Sequence, residues 1–171
     1  MSKRENTLEE DYLVEDEEDI RENKFLMCKI GREFYGIDIR VVTDIIELQT
    51  ITEVPDMPGY VRGVINLRGQ VIPVIDLRLH FGMPFREYDD RTVIAVVHIN
   101  DTSIGFIIDT ATEVQSIPEK DIDPAPSFQH TRRKGKYIAG LGKIGEEVTI
   151  ILDMAKLVDR EEAAELTASL N

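Results

Sequence analysis

Four aspartates stand where acid–base chemistry is usually sought, at the ends of apolar runs: Asp38, Asp76, Asp109 and Asp153. Paired carboxylates converging in a cleft would suit general acid and base work. Asp76 and Asp153, however, occupy equivalent places in an internal repeat, each at the start of a short helix. A carboxylate there caps free backbone N–H groups and complements the helix dipole, so capping is the expected role. The five serines fall in no Gly-x-Ser-x-Gly turn. His80, His98 and His130 lack the i, i+4 spacing of a helical metal site and have no cysteine partner, which points to structural or surface roles. Cys28 lies in the apolar run Phe25 to Ile30 and reads as a small buried hydrophobe. The glycines of Ala139-Gly140-Leu141-Gly142-Lys143-Ile144-Gly145 do not have phosphate-loop spacing and read as turns between strands. No catalytic residue, metal or cofactor is expected, and the chain is not expected to be an enzyme.

Charge narrows the partners. The formal net charge is -13, which repels nucleic acid and anionic lipid. Residues 1–22 hold ten acids against three bases. That segment, with Asp16-Glu17-Glu18-Asp19 and few bulky apolar residues, is too polar to offset its own ordering entropy and is expected to be a disordered, solvating tail. The one basic cluster, Arg132-Arg133-Lys134-Gly135-Lys136, has no interleaved aromatics and reads as a solvated loop. Apolar runs such as Val93 to Val97 fall far short of a membrane span, and the N-terminus has no apolar stretch after a basic start. A cytoplasmic protein without nucleic-acid binding or membrane insertion is expected.

The elements that position these residues come from a duplication. Shifting the first half by 69 places lays Phe25–Ile30 on Ile94–Ile99, Gly36 on Gly105 and Asp44-Ile45 on Glu113-Val114. After an insertion near Ser127 to Lys136 the register resumes with a shift of 77, where Gly63 meets Gly140 and Asp76 meets Asp153. Short β-branched runs punctuated by glycine and proline predict strands over 24–31, 33–38, 43–49, 62–67 and 70–75, repeated over 91–99, 102–108, 112–118, 137–143 and 147–152. Gly31 and Gly69 fall in tight turns, where a left-handed backbone costs little. Each half is the recipe for a five-stranded barrel, the first over 24–85 and the second over 91–152, with a helix and tail over 153–171. Only a few polar residues around Glu87 to Arg91 join the halves, so the barrels should pack together and leave a groove at their seam.

The stretch Gly59–Arg78 (GYVRGVINLRGQVIPVIDLR) closely resembles the signature of the CheW family. Phe34-Tyr35-Gly36-Ile37-Asp38-Ile39 before it, and Ala125-Pro126 and Gly140-Leu141-Gly142 after it, follow the family's order, and the resemblance spans residues 23–160. It implies a mainly β fold of two SH3-like barrels. It also implies a non-catalytic coupling protein of bacterial chemotaxis, recruited to membrane receptor arrays. One face would bind the regulatory domain of the histidine kinase CheA, and an apolar groove would receive the cytoplasmic tip of a methyl-accepting chemoreceptor. By position, Val42, Asp44, Gly63 and Arg68 become the candidate receptor contacts; no residue is assigned to the kinase face. The same domain occurs in CheA and CheV attached to catalytic or receiver domains; the length of this sequence leads to the expectation of a free-standing coupling protein. The other reading is a CheW-like interaction module of a different pathway with its own CheA-like kinase.

Overall fold

Alternating apolar residues between glycine turns form strands where the repeat puts them. The computed structural model describes residues 22–125 and 136–158. Its strands are β1 (Lys24–Ile30), β2 (Glu33–Asp38), β3 (Val42–Glu47), β4 (Val61–Leu67), β5 (Gln70–Asp76), β6 (Val93–Ile99), β7 (Thr102–Ile108), β8 (Thr110–Ser116), β9 (Ile122–Pro124), β10 (Ile138–Ile144) and β11 (Glu147–Leu152). The short helices Leu77–His80 and Met154–Leu157 stand 77 residues apart, in register with the duplication. The acidic segment up to Arg21, His130, most of the basic cluster and the expected helix beyond Val158 lie outside the described residues.

Strand pairing corrects the expected division into two consecutive five-stranded barrels. One sheet has six strands in the order β8-β1-β2-β11-β10-β9, and the other has five in the order β3-β6-β7-β5-β4. Each half therefore gives its first two strands to one sheet and its next three long strands to the other. The mutual exchange leaves the two sheets equivalent under the repeat, apart from the unexpected short strand β9. The chain changes sheet at two places. After β2 it turns through the 3-10 segment Ile39–Val41, where Asp38 accepts the Arg40 N–H at 2.9 Å. After β7 it crosses on Asp109 alone, whose Oδ2 accepts from Gly31 N at 2.8 Å, Arg78 Nη1 at 2.9 Å and Arg86 Nη1 at 3.2 Å.

The exchange explains why β1 and β6 are apolar on both faces. Phe25 and Met27 point into the six-stranded sheet's own core with Ile117 and Ile151. Leu26 and Cys28 point the other way, into a core shared by both sheets and built around Tyr35, Phe106, Leu77 and Leu157. The equivalents repeat this alternation: Ile94 and Val96 pack inside the five-stranded sheet with Ile65 and Ile72, while Ala95 and Val97 join the shared core. Each fully buried large side chain contributes roughly 1.5–3 kcal/mol. A period of two thus serves two cores from one strand.

Candidate functional site

The candidate residues gather where the five-stranded sheet closes on itself. Its end strands, β3 and β4, share no ladder. Instead Thr52, beyond β3, exchanges two 2.9 Å backbone hydrogen bonds with Val64. The Arg68 guanidinium, from the β4–β5 turn, meets both Asp44 carboxylate oxygens at 3.0 Å. Gly63 lies at a bulge in β4 with φ +141°, and a Cβ there would stand 2.1 Å from the Thr52 carbonyl oxygen. No side chain fits that approach. Gly140 repeats the device in the other sheet, where a Cβ would come within 2.9 Å of the Asp123 oxygen. Gly63 is thus accounted for by the fold, through the closure it permits.

Arg68 has no such account. Its backbone is left-handed, φ 50°, a conformation that crowds Cβ against the carbonyl and costs about 1–2 kcal/mol for most residues. The position 77 places later is Gly145, with φ 60°. The fold alone favours glycine at this turn, yet the five-stranded sheet carries an arginine whose side chain is 71% exposed. Its pairing with Asp44, 21% exposed, stabilises by at most about 1 kcal/mol in such a solvated setting. Val42 opens β3, pairs with Val97 and is half-buried against the shared core.

Sequence reasoning missed Thr52 and two outward-facing apolar residues. Thr52 carries no signal of its own; only the need of Gly63 for a close neighbour points to one. Ile45 and Val71 are exposed large apolar residues of the five-stranded sheet, and their equivalents Val114 and Val148 are exposed on the other. An apolar residue at an outward register position was the available signal.

The other chemically suggestive groups have local duties. Asp76 caps its helix by accepting the Leu79 N–H at 3.3 Å and also accepts the Tyr88 hydroxyl at 2.6 Å. Burial and that bond push the Tyr88 phenol well above its usual range. Asp153 accepts the Lys156 N–H at 3.2 Å, as the capping expectation required. His98 meets Ser103 Oγ at 2.9 Å on the surface, and His80 is buried among Tyr60, Phe81 and Tyr137. Burial raises the Cys28 thiol to about 12, so the reactive thiolate is scarce at neutral pH.

A concavity of about 300 Å³ opens at the junction of the sheets. Phe25, Ile151 and Ala139 face it from the six-stranded sheet, Ile99 from the other, and Val41 and Met154 from the connecting segments. None of Val42, Asp44, Gly63 and Arg68 lines it. The sheet-closure site and the junction concavity are separate features.

This pairing of duplicated, strand-exchanged β sheets defines a class of two-sheet β domains, and the comparisons say which family it falls in. The CheW-like domain profile matches residues 24–162, and the chain belongs to that family. It is 38% identical to the chemotaxis protein CheW of Klebsiella aerogenes, covering 82% of this chain and 84% of that one. It is 37% identical to CheW of Helicobacter pylori, covering 86% and 87%. Among solved structures it resembles the scaffolding protein TtCheW of Thermoanaerobacter tengcongensis, with TM-score 0.71 and 33% identity over 76% of this chain and 88% of that one.

Proposed function

We propose that this chain is a non-catalytic, cytoplasmic coupling protein that holds a CheA-type histidine kinase against the tips of methyl-accepting chemoreceptors at membrane arrays. Membership of the CheW-like family and likeness to a scaffolding protein support the reading, and among the described residues no helix is long and apolar enough to cross a membrane. The observation that carries the site is Arg68, an exposed cation held in a backbone conformation better suited to glycine. Local strain retained beside a surface charge is a signature of a binding position. Val42, Asp44 and Gly63 complete the receptor contact: Asp44 aims the guanidinium, Gly63 lets the closure form beneath it, and Val42 lies two residues along β3.

Reconstitution tests the function. Kinase autophosphorylation with receptor fragments should respond to receptor only when this chain is present; an unchanged response without it overturns the proposal. Isolated pairs should bind in the micromolar range, near -8 kcal/mol. A charge at the half-buried Val42 would disturb folding as well as binding. Arg68→Gly is the cleaner variant because the turn accepts glycine, and calorimetry should show weaker receptor binding by that variant with its fold intact.

A further inference from the structure

We infer that the junction concavity is a binding site for a tyrosine side chain presented by a partner polypeptide, with Asp153 accepting a hydrogen bond from its phenol hydroxyl. The duplication carries the argument, because the same place in the five-stranded sheet is filled by such a group. There Tyr88 packs on the cluster that contains Ile94, Ile107 and Val74, and its hydroxyl donates to Asp76 Oδ2 at 2.6 Å, leaving Asp76 1% exposed. The offsets of 69 and 77 carry Ile94 to Phe25, Ile107 to Asp38, Val74 to Ile151 and Asp76 to Asp153, and all four counterparts line the concavity. Strand register agrees: Phe25 faces Asp38 as Ile94 faces Ile107, and Gly36 meets Ile151 as Gly105 meets Val74. The concavity is therefore the counterpart of the Tyr88 seat.

The chemistry of that seat is retained. Asp153 Oδ1 accepts the Lys156 N–H, just as Asp76 Oδ1 accepts that of Leu79. Asp153 Oδ2, the counterpart of the oxygen that Tyr88 meets, has no partner among the described residues. Asp38 is paired with Arg40 at 2.7 Å, so one carboxylate acceptor stands over a mainly apolar wall. That combination suits a ring with a single hydroxyl donor, whereas an ammonium would lose its hydration against Phe25 and Ile151. A volume of about 300 Å³, at the small end of ligand pockets, suits one aromatic side chain. The chain's own repeat does not supply the donor. Arg62, whose guanidinium lies 5.0 Å from the Phe85 ring, corresponds to Ala139, which widens the mouth. Phe85 and Tyr88 correspond to Glu162 and Glu165, and residues 159–171 contain no aromatic side chain. A glutamate, ionised at neutral pH, cannot donate to Asp153.

Chemical-shift titration of the full chain with blocked amino acids tests this. N-acetyltyrosinamide at roughly millimolar concentration should move the amide signals of Ala139 and Ala155, two exposed residues of the mouth. N-acetylphenylalaninamide should bind about tenfold more weakly, since it lacks the charge-assisted hydrogen bond. Asp153→Asn keeps a capping side chain and should remove most of that preference. Ala139→Trp, at an exposed position, fills the mouth and should abolish the shifts. Absence of shifts with the tyrosine probe overturns the proposal, as do equal binding of the two probes, a preference that survives Asp153→Asn, or shifts that survive Ala139→Trp. Tighter binding of N-acetyllysinamide would assign the site to a cation, and tighter binding of free p-cresol to a small phenol. Shifts that appear only when Leu166→Glu and Leu170→Glu are combined in the full chain would assign the mouth to the C-terminal segment. Each of these three results also overturns the proposal.

Discussion

The two sheets are duplicates that close by different means. In the six-stranded sheet a whole strand, β9, pairs with β10 through Ile122, Asp123 and Pro124, and the exposed Lys143–Asp123 pair adds little. In the five-stranded sheet one residue, Thr52, stands in for that strand, and the Asp44–Arg68 ion pair spans the remaining gap. One closure is a backbone ladder; the other joins a single backbone bridge to an exposed side-chain ion pair. The difference separates fold from function: a side chain placed where its duplicate has none is available to a partner, whereas a feature present in both copies belongs to the architecture.

Four substitutions can break or sharpen that contrast. The largest effect is expected from Phe106→Ala in the shared core, which should cost about 4 kcal/mol. Because strands are exchanged, amide protection should vanish from both sheets together in urea; one sheet persisting alone would mean that the sheets are independent. Next comes the glycine pair. Gly63→Ala should destabilise by about 3 kcal/mol and Gly140→Ala by about 1 kcal/mol, since only the former combines a positive φ with overlap of a carbonyl. Equal costs would remove the distinction between the closures. Smallest is Arg68→Gly. Relief of backbone strain and loss of the Asp44 pair should nearly cancel, leaving stability within about 0.5 kcal/mol of the parent by denaturant titration. A loss of 2 kcal/mol or more would make Arg68 a structural residue.

Strand positions were legible in the sequence because burial on one face writes a period of two, and the 69- and 77-residue offsets place the two copies of each long strand to within a residue or two. The exchange was not legible. β3 and β8 carry the same pattern, so either could lie against β1, and only the routing at Ile39–Val41 and Asp109 decides between them. β9 escaped notice because Ile122–Pro124 is three residues long and ends in proline. At the site, Asp44 and Arg68 were readable as a charge pair, and Gly63 as a turn or bulge through its recurrence at Gly140. The strain at Arg68 is a backbone angle that composition does not record.

The strand exchange also sets a timetable for synthesis. β1 and β2 leave the ribosome early and pair with each other, but their outer neighbours are β8 and β11, and Phe34 must wait for Thr149. At typical translation speeds that interval is on the order of ten seconds. Throughout it the β1–β2 hairpin carries two adhesive open edges, exposed to stray pairing with other polypeptides until the last strand arrives.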